Sequence, residues 1–167
     1  NVVEGYQRWR PMWVLALFWA GSLTLMVGDV GEAMWLQGAG AVICMTATLF
    51  MLFRWWPRSS APGLLWVLVI AFTWAPIGYA LTTLKVAGFA LYRAPDHALL
   101  IGFAGGLIVA MVTRVTQGHS GRPLEMPALA WIAFTGVQLA ALLRVAAGIF
   151  DEDNRWLAIA NDDGSKA

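Results

Sequence analysis

Two histidines, His97 and His119, are the only imidazoles in 167 residues, so any acid–base or metal chemistry that needs one must use them. His119 lies in the run Arg114-Val115-Thr116-Gln117-Gly118-His119-Ser120-Gly121-Arg122-Pro123. There two guanidinium groups flank the ring, and Gly118 and Gly121 punctuate what reads as a turn. A neutral imidazole can ligate haem iron or copper, an arginine can pair with a haem propionate, and glycines let a flat ring approach the backbone. A short anion-binding turn is the competing use of the same residues. The run lacks the Lys and the spacing of a phosphate-binding loop. No Ser/His/Asp order and no paired intramembrane carboxylates suggest hydrolysis, so no catalytic residue is assigned and the chain is not read as an enzyme of a stated class.

His97 follows Pro95 and Asp96 at the start of an apolar run, where Asp96 or His97 could cap the first helical turn or mark a water boundary. Twenty-two residues separate it from His119, about 33 Å along a helix, whereas two axial ligands of one iron lie about 4 Å apart. If both are ligands, they serve separate metal sites near opposite membrane faces. His119, with its polar and glycine neighbours, is the stronger haem candidate by this reading. The single cysteine, Cys44, rules out an internal disulfide. With Met45 and Met51 it could form a soft copper site, but such residues more often simply pack.

The elements that must hold these groups are membrane helices. The chain is 59% apolar and 13% charged, against about a quarter charged in soluble proteins. Its net charge of +1 leaves no basic excess for a nucleic-acid partner. Five apolar runs reach the roughly 20 residues that cross a bilayer, near 11–27, 33–53, 63–84, 97–115 and 126–150. All are apolar nearly all round, which fits helices in lipid better than alternating barrel strands. The expected fold is therefore all-α, a polytopic membrane bundle of about five helices, with the lipid bilayer as its first partner.

Alternation places Arg8, Arg10, Arg54, Arg58, Arg114 and Arg122 on one side and Asp29, Glu32, Asp96, Asp151, Glu152 and Asp153 on the other. The arginine-rich side is expected in the cytoplasm, although Lys85, Arg93, Arg144 and Arg155 weaken the bias. Trp9, Trp13, Trp35, Trp55, Trp56 and Trp156 lie near span ends, as interfacial anchors do. Pro76 should kink the third span. Gln138 and Arg144 lie inside the fifth, where Arg144 either snorkels to the near interface or meets a buried carboxylate. Gly102, Gly106 and Ala110 form a small-residue stripe suited to helix packing, drawn at 100° per residue as lying opposite His97. The chain opens on Asn1 without a signal-peptide layout and ends on an undeveloped apolar stretch after Trp156, so it reads as one bundle and as a piece of a longer membrane protein.

Two segments, His97-Ala98-Leu99-Leu100-Ile101-Gly102 and Met111-Val112-Thr113-Arg114-Val115-Thr116-Gln117-Gly118-His119-Ser120-Gly121-Arg122, together resemble the signature of the NnrS family, close to HAL..G followed by M.TRV..GH.GR. Leu142-Leu143-Arg144-Val145-Ala146 resembles it too. Ser120 and Gln117 stand where Thr and Leu are common. The resemblance implies a polytopic protein of the bacterial inner membrane that holds haem and copper and is associated with tolerance of nitric oxide, often in denitrifying organisms. It implies His119 and His97 as metal ligands, with Arg114, Arg122, Arg144, Gly118 and Gly121 around the cofactor. Family members are about twice this length, so this chain would match mainly the second half, with the missing half or other membrane subunits as partners. Two other readings compete with it: a transporter or channel half, suggested by the kinked third span and Arg144, and a cofactor-free structural subunit.

Overall fold

The computed structural model describes residues 12–57, 62–119 and 126–150. These form five helices, α1 (Met12–Val30), α2 (Met34–Arg54), α3 (Gly63–Val86), α4 (Ala94–His119) and α5 (Ala128–Phe150), with no strand among the described residues. Each is 19 to 26 residues long, enough at 1.5 Å per residue to cross a hydrocarbon layer of about 30 Å. In lipid, such runs become helices because every backbone N–H and C=O must find its partner within the segment.

The chain meanders. α1 packs on α2, α2 on α3, α3 on α4 and α4 on α5, each antiparallel to the one before it. Glycine sets the closest approaches: a Cβ on Gly28 would lie 2.5 Å from the backbone nitrogen of Gln37, and one on Gly40 2.5 Å from that of Leu25. α1 and α2 therefore touch backbone to backbone, the contact that drives association where lipid removes any hydrophobic gain from helix pairing. The turn between them is three residues long and closes with Ala33 N–H donating to Gly28 O at 2.8 Å, with Glu32 in the left-handed region at φ 51°.

Besides Val14, Ala41, Cys44 and Ala47, buried where α1 meets α2, the core lies between α3, α4 and α5. At the end where α4 begins it holds Trp74, Leu91, Ala94, Ala98, Ala141 and Val145, and at the other end Leu64, Val67, Ala71, Ala110 and Phe134. The expected small-residue stripe is buried here: a Cβ on Gly102 would fall on the indole of Trp74, and one on Gly106 would lie 2.7 Å from the Cβ of Ala71. Trp13, Trp35, Trp55 and Trp56 are exposed near helix ends, the position of interfacial anchors. Trp9, Trp156 and the terminal charge clusters lie outside the described residues.

Three local features depart from the sequence reading. α4 begins at Ala94 with Arg93 at its N-cap and no side-chain cap bond, so neither Asp96 nor His97 caps it; Pro95, which has no N–H to satisfy, occupies the first turn instead. At its far end α4 runs through Gly118 to His119, so both are helical rather than part of a turn. Between these ends, Ala98–Gly105 winds as a π-helix, with i→i+5 bonding. A helical wheel drawn at 100° per residue loses phase across it. α3 remains one helix through Pro76.

Candidate functional site

His97 sits in the first turn of α4, half-buried, where α4 leans on the end of α5. The two helices meet closely because Gly148 lies under Ala94, with a Cβ there only 3.0 Å from the Ala94 nitrogen. That contact brings the imidazole of His97 to the main chain of α5. Its Nδ1 lies 3.3 Å from the backbone oxygen of Arg144. A carbonyl only accepts, so the shared proton belongs to Nδ1, and the tautomer that fits this bond is the one with its lone pair on Nε2. Anchoring one ring nitrogen on a carbonyl while the other stays open is the arrangement by which proteins orient a metal-ligating histidine.

Arg144 thus meets His97 through its backbone, while its guanidinium is exposed about 9 Å from the end of α5. His119, Arg114 and Gly118 are all exposed in the last turns of α4, at the opposite end of the same helix from His97. A Cβ on Gly118 would meet nothing within 4 Å. Gly121 and Arg122 lie outside the described residues. The seven candidate residues are therefore not brought into one cluster: His97 and Arg144 share one end of the bundle, and His119, Arg114 and Gly118 the other.

Among the described residues, no group of three or more His, Cys, Asp or Glu could hold a metal ion. One imidazole can attach a haem iron from the protein side, and among the two histidines His97 is the one whose ring is hydrogen-bonded to a neighbouring helix. Copper needs several donors, and the described residues do not gather them. Cys44 is buried against α1, with its sulfur 3.6 Å from Ser22 Oγ and 3.7 Å from the Phe18 carbonyl, the surroundings of a packing residue.

A second polar contact crosses the core. The indole Nε1–H of Trp74 on α3 donates to Gln138 Oε1 on α5 at 2.6 Å. An indole nitrogen only donates, so the amide oxygen must face it and Nε2 must turn toward Gly106, where it is buried without a hydrogen-bond partner. Gln138 is visible in the sequence as an intramembrane polar residue, and Trp74 as a neighbour of Pro76, but nothing in the sequence pairs them. Tyr92 was not anticipated at all. It adopts φ 38°, uncommon for a bulky residue, and its hydroxyl is buried without a partner five residues before His97.

No curated protein and no solved structure matches the chain. The family model described as NnrS protein matches residues 2–161, nearly the whole sequence. With five membrane-length apolar helices and that match, the chain is a multi-pass membrane protein and belongs to the NnrS family, a family associated with the nitric oxide response.

Proposed function

We propose that this chain holds haem in the bacterial inner membrane as part of a response that confers tolerance of nitric oxide, and that His97 would hold its iron. The observation that carries the reading is the bond from His97 Nδ1 to the Arg144 carbonyl, which leaves Nε2 open in a fixed orientation. Family membership supports the physiological setting. Bound haem would supply an iron able to take up a diatomic ligand. The chain's own part is to orient the imidazole and to keep the surroundings apolar, with Ala94 and Ala98 closely packed beside it.

Copper, in this reading, uses His119 as one donor at the other end of α4, with further donors from outside the described residues. In this reading Arg114 and, by sequence, Arg122 and Gly121 serve an anionic group at the His119 end; Arg114 lies seventeen residues, about 25 Å along α4, from His97, beyond the reach of a propionate of haem held there.

Absorption spectra of the purified protein in detergent test the haem reading. A Soret band is expected in the wild type and in Arg144→Ala, which keeps the backbone carbonyl, and is expected to vanish in His97→Ala. A full band in a folded His97→Ala variant would overturn the ligand assignment.

A further inference from the structure

At the end of the bundle that carries His97, but on the other side of α4, a cleft of about 470 Å³ opens between α1, α2, α3 and the start of α4. Its rim carries three charged side chains, Asp29, Lys85 and Asp96, all exposed. Asp29 accepts a hydrogen bond from Gln37 Nε2 at 3.4 Å. Among the described residues, Lys85 and Asp96 make no hydrogen bond or ion pair through their side chains. The cleft thus presents one cation and two carboxylates that are not neutralised by one another.

Below the rim the lining changes character. Ser22, Tyr79 and Thr82 bring hydroxyl oxygens, with Ser22 donating to the Phe18 carbonyl and Thr82 to that of Gly78, while Leu25, Val86 and Leu99 supply apolar wall. Ser22 lies seven residues from Asp29 on α1, so the cleft reaches about 10 Å below the charged rim into the apolar layer. α1 and α4 both line the cleft but are not among the helix pairs that pack substantially on each other.

A charged rim, hydroxyl oxygens one to two turns deeper, apolar walls and two lining helices that do not pack on each other match the successive layers of a phospholipid molecule. We propose that this cleft binds one phospholipid with a primary-ammonium headgroup, its phosphate on Lys85 and its ammonium between Asp29 and Asp96. The ester region then lies beside Ser22 and Thr82, whose hydroxyl protons stay on the Phe18 and Gly78 carbonyls, and the acyl chains run between α1 and α4. An ammonium carries N–H donors for carboxylates, which a trimethylated headgroup lacks, and an uncharged glycerol headgroup would leave both carboxylates facing a phosphate.

Native mass spectrometry of the detergent-solubilised protein, titrated with dioleoyl lipids that differ only in headgroup, tests this. Phosphatidylethanolamine is expected to bind about tenfold more tightly than phosphatidylcholine or phosphatidylglycerol, the size of one charge-assisted contact. Lys85→Gln should weaken all three lipids by about tenfold and leave the preference, because the phosphate is common to them, whereas the double variant Asp29→Asn, Asp96→Asn should weaken phosphatidylethanolamine by about tenfold and remove the preference; all three positions are exposed, so the fold is not at stake. Equal binding of the three lipids by the wild type, an unchanged preference in the double variant, or unweakened binding in Lys85→Gln would overturn the proposal. Free O-phosphoethanolamine binding as tightly as the lipid would overturn the assignment to a lipid in favour of a soluble ligand.

Discussion

Among the described residues, Trp74 and Gln138 form the one side-chain hydrogen bond across the α3–α5 seam, 2.6 Å long and inside the apolar layer. It ties together two helices whose remaining contacts run largely through α4. The pair is asymmetric. Removing the indole nitrogen with Trp74→Phe leaves both ends of the Gln138 amide unpaired, whereas Gln138→Leu removes the already orphaned Nε2 and strands only the indole N–H.

Unfolding of single and double variants in detergent should therefore show Trp74→Phe costing about 1–2 kcal/mol and Gln138→Leu less, because an unmet polar group costs more than the net worth of a satisfied bond. The double variant should cost less than the sum of the two. Strict additivity would mean that the pair is not coupled.

Gly102 and Gly118 lie on one helix and should respond in opposite ways to the same methyl group. An alanine at Gly102 would overlap the buried Trp74 ring, so Gly102→Ala is expected to destabilise by about 1–3 kcal/mol as α3 and α4 are forced apart. At Gly118 the added Cβ meets nothing, and the helix gains up to about 1 kcal/mol from losing a glycine. Cofactor content separates packing from binding here: a Gly118→Ala variant that is stable but loses haem or copper would show that a ligand, not a helix, needs that glycine.

The five spans were legible because membrane thickness imposes a minimum length of apolar residues, and length survives in a single sequence. The facing of each helix was not. In a lipid-embedded bundle the residues toward neighbours and those toward lipid are both apolar, so Leu100, exposed, and Leu64, buried, cannot be told apart by type. Small residues carry what signal remains, as Gly102 and Gly106 did for the α3 contact; Gly28 and Gly40, which do the same for α1 and α2, carried it without being read. The π segment escaped because nothing in Ala98–Gly105 distinguishes i→i+5 from i→i+4 bonding, and with it went the wheel that placed His97. His97 was found by type, but its anchor could not be, since a backbone carbonyl of Arg144 has no signature in side-chain chemistry.

The alternation of helices puts Gly31 and Gly88 at one end of the bundle and Trp56 and Gly118 at the other. The arginine bias predicts the second end to be cytoplasmic. Single cysteines at these four positions, in a Cys44→Ala background, should be labelled by an impermeant maleimide from outside only at Gly31 and Gly88. The reverse pattern would invert the orientation; a mixed pattern would break the alternation of spans itself.

The separation of the two histidines makes the sharpest prediction about cofactors. Both lie on α4, and its residues 94–119 are continuously helical, which places His97 and His119 at opposite ends about 33 Å apart at the α-helical rise and slightly less across the wider π segment. No rearrangement of side chains brings their nitrogens to the roughly 4 Å that two ligands of one metal require. Helix α4 would have to break, and its middle is held by Trp74 against Gly102 and by Ala71 against Gly106. Within one chain, single His97→Ala and His119→Ala variants must therefore remove different things: the Soret band with the first, and copper measured by elemental analysis with the second. The order of strength also reverses relative to the sequence reading, since His97 has a fixed ring while His119 is exposed at a helix end. Loss of one and the same haem signal in both variants, with helicity and melting unchanged, would mean that the two residues serve one iron across two copies of the chain rather than two sites within it.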